Sequence, residues 1–317
     1  MVGRYLAGTV TLTLILALCI SASGCSRTAP RKPVPTAWKS EPTISLYINE
    51  TGEKKKIKLE DYVAGVVAAE MEPTWPVNAL AAQAILARTF TMENIKAGRV
   101  KRLHGTDAST SVEEFQAYNP SRINNNVRQA VARTRGEVIT YRGDYIKSWF
   151  SACDGGVSAS AAEGLAYTRT PTPYVRAGVK DNCLAITTPE NRRWVCRIPM
   201  ARVRSAVQNV TGRDPGPAAG VRVVRRGPSG RAELLQVGGV TVGGPALRLA
   251  LGSDLMRSTF LTEAAVQGNE LILAGKGYGH GVGMCQWGAR LLAQQGRSPR
   301  EIIRFFYRDI QIKKLWS

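Results

Sequence analysis

The stretch AAEMEPTWPVNALAAQAILARTF, residues 68–90, contains the end of one apolar segment and the start of a second, alanine-rich one. Upstream, apolar residues recur at offsets of 0, 3, 4, 7, 8 and 12 from Leu59, the spacing of one face of an amphipathic helix. Glu70 falls at offset 11, on the same face. At a helix C-terminus, removal from water and the helix dipole both favour a protonated carboxyl. The spacing therefore predicts that Glu70 is placed to donate a proton, the plain alternative being an ion-paired helix end.

A second helix is predicted to begin at Pro76 and to end at Gly98. Two polar residues, Gln83 and Arg88, interrupt its alanine-rich face. Both are candidates for contacting a ligand beside Glu70, although satisfying backbone groups in the core would explain them equally well.

The rest of the chain contains signals for helices and for strands. ISLYIN and KKKIKL predict a hairpin at residues 44–59, and VRVVRR, GRAELLQV, VTVGG and LILAGKG predict a β-rich lobe over about residues 220–275. Further helices are predicted near residues 127–134, before Gly296, and after a capping box at Ser298. The predicted fold class is α+β, with mixed helical and β-rich lobes and a cleft.

The composition is strongly basic. The formal net charge is +19, from 43 Lys and Arg against 24 Asp and Glu, and it is spread along the chain. This favours a polyanionic environment such as nucleic acid, a membrane surface or the cell wall. No nucleic-acid-binding module is recognisable, so we expect no nucleic acid partner.

The N-terminus predicts export. Residues 1–24 combine a basic residue, an apolar run and small residues before Cys25, as in a signal peptide of the lipoprotein type, with a spanning anchor as the alternative. Residues 25–42 contain four prolines and predict a linker to a folded domain over 43–317. The expected location is outside the cytoplasm, as a lipoprotein tethered through Cys25 or in the periplasm or cell envelope.

Four cysteines remain after Cys25. Because disulfides persist in exported proteins, we expect at least one among Cys153, Cys183, Cys196 and Cys285. Cys183 is expected to take part, with Cys153 or Cys196 as its partner.

Three motifs together resemble the SpoIID/LytB family. They are LEDYVAGVVAAEMEPTWPVNALAAQAILARTF (59–90), WFSACDGGVSASAAEG (149–164) with the later PYVRAGVKDNC (173–183), and GKGYGHGVGMCQWGARLLAQQG (275–296). The resemblance implies a lytic transglycosylase that cleaves peptidoglycan strands lacking stem peptides. In that family the glutamate of the first motif is the catalytic acid, which corresponds to Glu70.

The other motif residues are candidates for binding the glycan. Besides Gln83 and Arg88, they are Ser151, Tyr278, His280 and Gln286. Trp75 and Trp287 are candidates for stacking on sugar rings, with core or rim packing as the alternative. A structural role for His280, holding the glycine-rich loop, is equally open.

The chain also departs from the family pattern. The second motif lacks the family's histidine and has Asp154, and Cys285 replaces a serine that is common in the third motif. Some members bind zinc through a Cys/His cluster after the first long helix, where this chain has only His104, so no metal or other cofactor is expected. Two rival functions remain: a non-catalytic peptidoglycan-binding enhancer of a separate N-acetylmuramoyl-L-alanine amidase, and a thiol hydrolase using Cys285 and His280.

Overall fold

The computed structural model describes residues 39–216 and 220–317. The described residues form ten α-helices: α1 Leu59–Glu70, α2 Val77–Ala97, α3 Arg99–His104, α4 Asn125–Arg133, α5 Ala161–Leu165, α6 Pro189–Arg192, α7 Met200–Thr211, α8 Gly244–Leu251, α9 Gln286–Gln294 and α10 Pro299–Phe306. The same residues form fourteen strands: β1 Thr43–Tyr47, β2 Lys54–Lys58, β3 Ala108–Ser109, β4 Glu137–Tyr141, β5 Asp144–Tyr145, β6 Phe150–Ser151, β7 Trp194–Pro199, β8 Val221–Arg226, β9 Ala232–Val237, β10 Val240–Gly243, β11 Leu261–Gln267, β12 Glu270–Gly275, β13 Met284–Cys285 and β14 Gln311–Lys314. The mixed α+β class predicted from the sequence is confirmed.

The predicted signal peptide and Cys25 lie outside the described residues, as does most of the predicted linker. Glu41, at the end of that linker, is attached to the folded domain: its carboxylate accepts a 2.9 Å hydrogen bond from the Glu60 N–H and pairs with Arg135 at 2.5 Å. Among the described residues, no helix is both long enough and apolar enough to cross a membrane.

The strands of the described residues form small sheets rather than one large one. Their orders are β2-β1-β3, β14-β4-β5, β13-β6, β11-β12-β7 and β10-β9-β8. The predicted hairpin of β1 and β2 is confirmed as an antiparallel pair. The pair β13 and β6 is parallel, with Cys285 opposite Ser151, and therefore places the second and third sequence motifs side by side.

The helical lobe is organised around α2. This helix packs against α1, α4, α9, α10 and β4. Its alanines between residues 79 and 87 are fully buried, which allows close approach of its neighbours. The predicted end at Gly98 is confirmed, since Gly98 adopts a left-handed conformation (φ 66°) and its N–H bonds to Asn94 and Ile95 carbonyls. The capping box predicted at Ser298 is also present, with Glu301 as its partner.

A second hydrophobic core belongs to the β-rich lobe. Its buried residues extend from Trp194 to Leu273 and come from α7, α8 and strands β7 and β9–β12. The lobe therefore begins earlier in the chain than residue 220. The reason is that β7 pairs with β12, opposite Leu271 and Leu273, and brings α7 into the same core.

Candidate functional site

Glu70 is the last residue of α1 and is partly buried. The chain leaves the helix at Met71, which is extended (φ −126°, ψ 158°). Oε1 of Glu70 accepts a 3.0 Å hydrogen bond from the backbone N–H of Ala117. Burial raises the pKa of the Glu70 carboxyl to about 6, against the opposing effect of this N–H. A carboxyl with this pKa exchanges its proton close to neutral pH, as a general acid and base must.

A glycine inside α1 brings the loop of Ala117 to Glu70. The Tyr118 ring lies so close to Gly65 that a Cβ there would be 2.3 Å from the ring. The Gly65 carbonyl also accepts a 3.0 Å hydrogen bond from the Asn119 N–H. Because only glycine leaves this space on the helix, the loop can lie against α1 and direct its N–H towards the carboxylate.

Gln286, at the first turn of α9, forms a second wall beside Glu70. Its side chain is 4% exposed, and its amide lowers the pKa of Glu70, opposing the larger effect of burial. Its Nε2 has no hydrogen-bond partner of good geometry among the described residues. A buried donor without a partner is available to a group that approaches Glu70.

Two tryptophans lie at these same segments. Trp75 follows Glu70 by one short loop, Trp287 follows Gln286, and their ring centroids are 4.7 Å apart at an interplanar angle of 59°. The Arg290 guanidinium lies 5.1 Å from the Trp75 ring and 4.9 Å from the Trp287 ring. All three side chains are partly exposed. They form a half-buried aromatic surface with one cation, suited to a sugar ring and an acidic substituent.

Comparison with known proteins identifies the family. A family model described as Stage II sporulation protein (SpoIID) matches residues 47–141. An uncharacterized protein of Brachyspira hyodysenteriae is 33% identical over 258 residues, which cover 81% of this chain and 67% of that protein. Stage II sporulation protein D of Bacillus amyloliquefaciens is 28% identical over 292 residues, covering 88% of this chain and 81% of that protein. The chain belongs to the SpoIID family.

Two further matches were found for this SpoIID chain. The amidase enhancer of Bacillus subtilis is 25% identical over 290 residues, which cover 77% of this chain but only 39% of the enhancer. A model described as a domain of unknown function (DUF8618) matches residues 180–283, which contain most of the β-rich lobe. The SpoIID match itself contains Glu70 and Ala117.

The glycine-rich motif of the SpoIID chain is held by its own side chains. Nδ1 of His280 accepts a 3.0 Å hydrogen bond from the Val282 N–H. Burial, with contributions from the Arg248 and Arg231 guanidiniums, lowers the pKa of His280 to about 3, so the imidazole is neutral. These contacts favour the structural role for His280.

The candidate Tyr278 is part of the same motif, and Ser151 pairs with it through Cys285. The Tyr278 hydroxyl donates a 2.9 Å hydrogen bond to Asp254, and the Arg257 guanidinium lies 4.2 Å from the centre of its ring. Ser151 is 6% exposed, and its Oγ has no partner among the described residues.

The two polar residues of α2 have different surroundings. Arg88 is fully buried, and its guanidinium pairs with Glu60 at 2.6 Å and donates to the Glu137 carbonyl at 2.9 Å. Glu60 also accepts hydrogen bonds from the Gly136 N–H and the Trp316 indole. Arg88 is thus occupied in a core network and is not directed at a ligand. Gln83 is also fully buried, and its amide has no partner in the described chain.

All four cysteines of the described residues are free thiols. The sulfurs of Cys153 and Cys183 lie 3.5 Å apart, beyond the bond length of about 2.05 Å, so the expected disulfide stays a prediction. Cys285 is fully buried, and its Sγ accepts hydrogen bonds from backbone N–H groups of Gly288 and Asp154. Neither contact is with a base, and the His280 Nδ1 is already used, which disfavours the thiol hydrolase.

The sequence reasoning did not find Ala117 or Arg290. Ala117 acts through its backbone, which leaves no side-chain signal in the sequence. A glycine inside a helix, such as Gly65, could have indicated the close approach of another segment.

A large surface cavity lies away from Glu70. It has a volume of about 920 Å³, and its lining includes Arg176, Lys180 and Phe305 but not Glu70. Cavity volume alone would therefore not identify the site around Glu70. Nε2 of His104 lies 2.8 Å from the Glu114 carboxylate, at hydrogen-bond distance.

Proposed function

We propose that this protein is an exported lytic transglycosylase that cleaves the glycan strands of peptidoglycan, with Glu70 as its general acid and base. The observation that carries the proposal is the Glu70 carboxyl, partly buried, with a pKa raised to about 6 and bonded to the Ala117 N–H. Family membership and the relatives named for sporulation and for amidase enhancement support a substrate in the cell wall.

The reaction needs one carboxyl group. Protonated Glu70 gives its proton to the leaving glycosidic oxygen as the bond from that oxygen to the anomeric carbon breaks. The Glu70 carboxylate then takes the proton of the 6-hydroxyl, whose oxygen bonds to the same carbon and forms 1,6-anhydromuramic acid. Glu70 ends protonated as it began, and no water is consumed. Hydrolysis with two carboxylates would require a second acidic group at the site, and burial, not a neighbouring carboxylate, is the main cause of the raised pKa.

The surroundings of Glu70 support a glycan without stem peptides. Trp75 and Trp287 offer aromatic faces for sugar rings, and Arg290 lies over both. Removal of the stem peptide leaves a carboxylate on the lactyl group of muramic acid, which Arg290 can pair with. We also propose lipid anchoring through Cys25 and, as partner, an N-acetylmuramoyl-L-alanine amidase that supplies such strands.

A second candidate function is favoured by the match to the amidase enhancer. In that case the chain binds peptidoglycan without cleaving it and stimulates a separate amidase. The same aromatic surface would serve binding, so the two functions differ only in the product.

Mass spectrometry of soluble products separates the two functions. The purified protein is incubated with intact peptidoglycan and with peptidoglycan that an amidase has stripped of stem peptides. Fragments with 1,6-anhydromuramic ends from the protein alone support the transglycosylase. Binding without such fragments, together with faster stem-peptide release when the amidase is added, supports the enhancer.

A further inference from the structure

Three cysteines from distant parts of the chain meet in the core. Cys153 follows β6, Cys183 begins a short 3-10 helix at residues 183–185, and Cys285 is the N-cap of α9. Their sulfurs lie within 4.8 Å of one another, and the three residues are at most 1% exposed. Cys183 and Cys285 also lie within 4.8 Å of carboxylate oxygens of Asp154 and Asp181.

The two carboxylates are buried, and each has an oxygen without a hydrogen-bond partner among the described residues. Asp154 is fully buried and Asp181 is 3% exposed, yet Oδ2 of each has no hydrogen-bond partner among the described residues. A buried carboxylate oxygen without a partner is costly, so such oxygens in native proteins require an explanation. Asp154 interacts electrostatically with the buried Arg231, whose guanidinium also donates to the Asp154 carbonyl. The Asp181 carboxylate lies within 4.8 Å of the Cys183 and Cys285 sulfurs, and its Oδ2 is open to a cation.

Two backbone N–H groups are directed at the sulfur of Cys285. The backbone N–H groups of Gly288 and Asp154 donate to its Sγ at 3.3 and 3.4 Å, and the sulfur lies at the positive end of α9. Position 288 must be glycine for this arrangement, because a Cβ there would lie 1.9 Å from Oδ2 of Asp181. Backbone N–H groups directed at sulfur are typical partners of metal-bound thiolates.

We propose that Cys153, Cys183 and Cys285 bind a zinc ion as thiolates. The Asp181 carboxylate, which lies within 4.8 Å of the Cys183 and Cys285 sulfurs, turns towards the ion as the fourth ligand. Adjacent ligand sulfurs of tetrahedral zinc are about 3.8 Å apart, close to the 3.5 Å between Cys153 and Cys183. Soft thiolates with one carboxylate favour zinc over the hard ions magnesium and calcium. Four protein ligands in a buried position make the site closed and structural.

The site has a consequence for the candidate functional site. Cys285 precedes Gln286 and Trp287 directly, so the ion would fix the first turn of α9 against the segments of Cys153 and Cys183. It thereby holds one wall beside Glu70 in place. The metal site does not depend on the glycan-cleaving function, because its evidence is the cluster itself.

The test measures metal in the full chain. The protein is purified without chelator, and its zinc content is measured by elemental mass spectrometry. We expect about one zinc ion per chain. Cys183→Ser, Cys285→Ser and Asp181→Asn should lose zinc. Cys196→Ser, which changes a cysteine outside the cluster, should keep it.

Cobalt binding by the wild-type chain tests the metal site without any variant, and therefore also applies if a variant fails to fold. Wild-type protein reconstituted with Co²⁺ under reducing conditions should show the sulfur-to-cobalt absorption bands of tetrahedral thiolate coordination. Failure of the reduced wild-type chain to bind either Zn²⁺ or Co²⁺ would overturn the proposal. A metal-free native protein whose non-reduced peptide map contains a Cys153 to Cys183 disulfide would overturn it equally.

Discussion

The backbone N–H of Ala117 donates a 3.0 Å hydrogen bond to Oε1 of Glu70, across 47 residues of sequence. This contact holds one carboxylate oxygen in place at the end of α1. It also opposes the rise in the pKa of Glu70 that burial causes. The position and the protonation of the proposed catalytic group therefore both depend on one loop.

Glu70→Gln should abolish most turnover while leaving the fold intact. Glutamine preserves the shape of the side chain but cannot give up and regain a proton. We expect a loss of about 10²-fold to 10⁴-fold in formation of anhydro products, the range of general acid-base catalysis. Strand binding and the thermal midpoint, measured on the same preparation at a pH below the pKa of Glu70, should change little.

Glu72→Gln is the matched control for this variant. Glu72 is two residues away, exposed, and ion-paired with Arg122 at 2.8 Å. It should retain normal turnover. If Glu70→Gln were equally active, the proposed role of Glu70 would be wrong.

Turnover should fall as the pH rises through the pKa of Glu70. Bond cleavage starts from the protonated carboxyl, and the pKa of that group is about 6. The value of kcat/KM should therefore fall about tenfold for each pH unit above this pKa. Initial rates of anhydro-product formation across the range test this, and a rate independent of pH would contradict it.

The free energy of unfolding should also change as Glu70 titrates. The pKa of Glu70 is raised from 4.5 to about 6 by folding, so the folded state retains a proton that the unfolded chain releases. The stabilisation relative to high pH is complete below the unfolded pKa and is lost as the pH rises through the folded pKa. A shift of this size corresponds to about 2 kcal/mol. Urea unfolding at both ends of the range should show a larger loss of stability with rising pH in the wild type than in Glu70→Gln, by about the same 2 kcal/mol.

Gly65→Ala should destabilise the protein although it improves helix propensity. Propensity alone predicts a gain of about 1 kcal/mol. The new Cβ would meet the Tyr118 ring at 2.3 Å, and such overpacking costs about 1–3 kcal/mol. Displacement of the loop should also lower turnover through Ala117.

A double-mutant cycle identifies the cause of that effect. In a Tyr118→Ala background the added methyl has room, so Gly65→Ala should cost little. An equal cost in both backgrounds would show that the Tyr118 contact is not responsible.

Arg88→Gln should affect stability and leave substrate affinity unchanged. Removing one partner of a buried ion pair costs about 3–5 kcal/mol, and Arg88 is fully buried against Glu60. Glu60→Gln should cause a loss in the same range, whereas Arg128→Gln on the exposed face of α4 should not. Chemical denaturation gives the stability, and a raised KM of the folded Arg88 variant would instead indicate a role in substrate binding.

Cys25→Ala should release the protein from membranes or block its maturation, because the acylated cysteine is the proposed anchor. Fractionation of cells and mass spectrometry of the mature N-terminus provide the measurement. An N-terminus elsewhere without acyl groups would refute the lipid anchor, although export would remain.

The sequence predicted the parts of the fold that have local causes. The spacing of apolar residues in α1, the end of α2 at Gly98 and the capping box at Ser298 all depend on neighbours within one or two helical turns. The same spacing placed Glu70 at the end of its helix with its carboxyl partly buried. Local patterns are sufficient for these features because the interactions that stabilise them are themselves local.

Features formed by distant segments could not be predicted in this way. The contact of Ala117 with Glu70 and the meeting of Cys153 with Cys285 depend on tertiary packing. The cysteine count allowed several pairings and gave no indication of Asp181. The early start of the β-rich lobe at Trp194 likewise depends on the pairing of β7 with β12.

The hydrogen bond from the Trp316 indole to Glu60 joins residues 256 positions apart at 2.9 Å. During synthesis, Glu60 and Arg88 emerge from the ribosome long before Trp316 does. The network around that ion pair consequently stays incomplete until residue 316 has been made, as does the pairing of β14 with β4. The buried network of the helical core therefore depends on residues that are synthesised more than 200 positions apart.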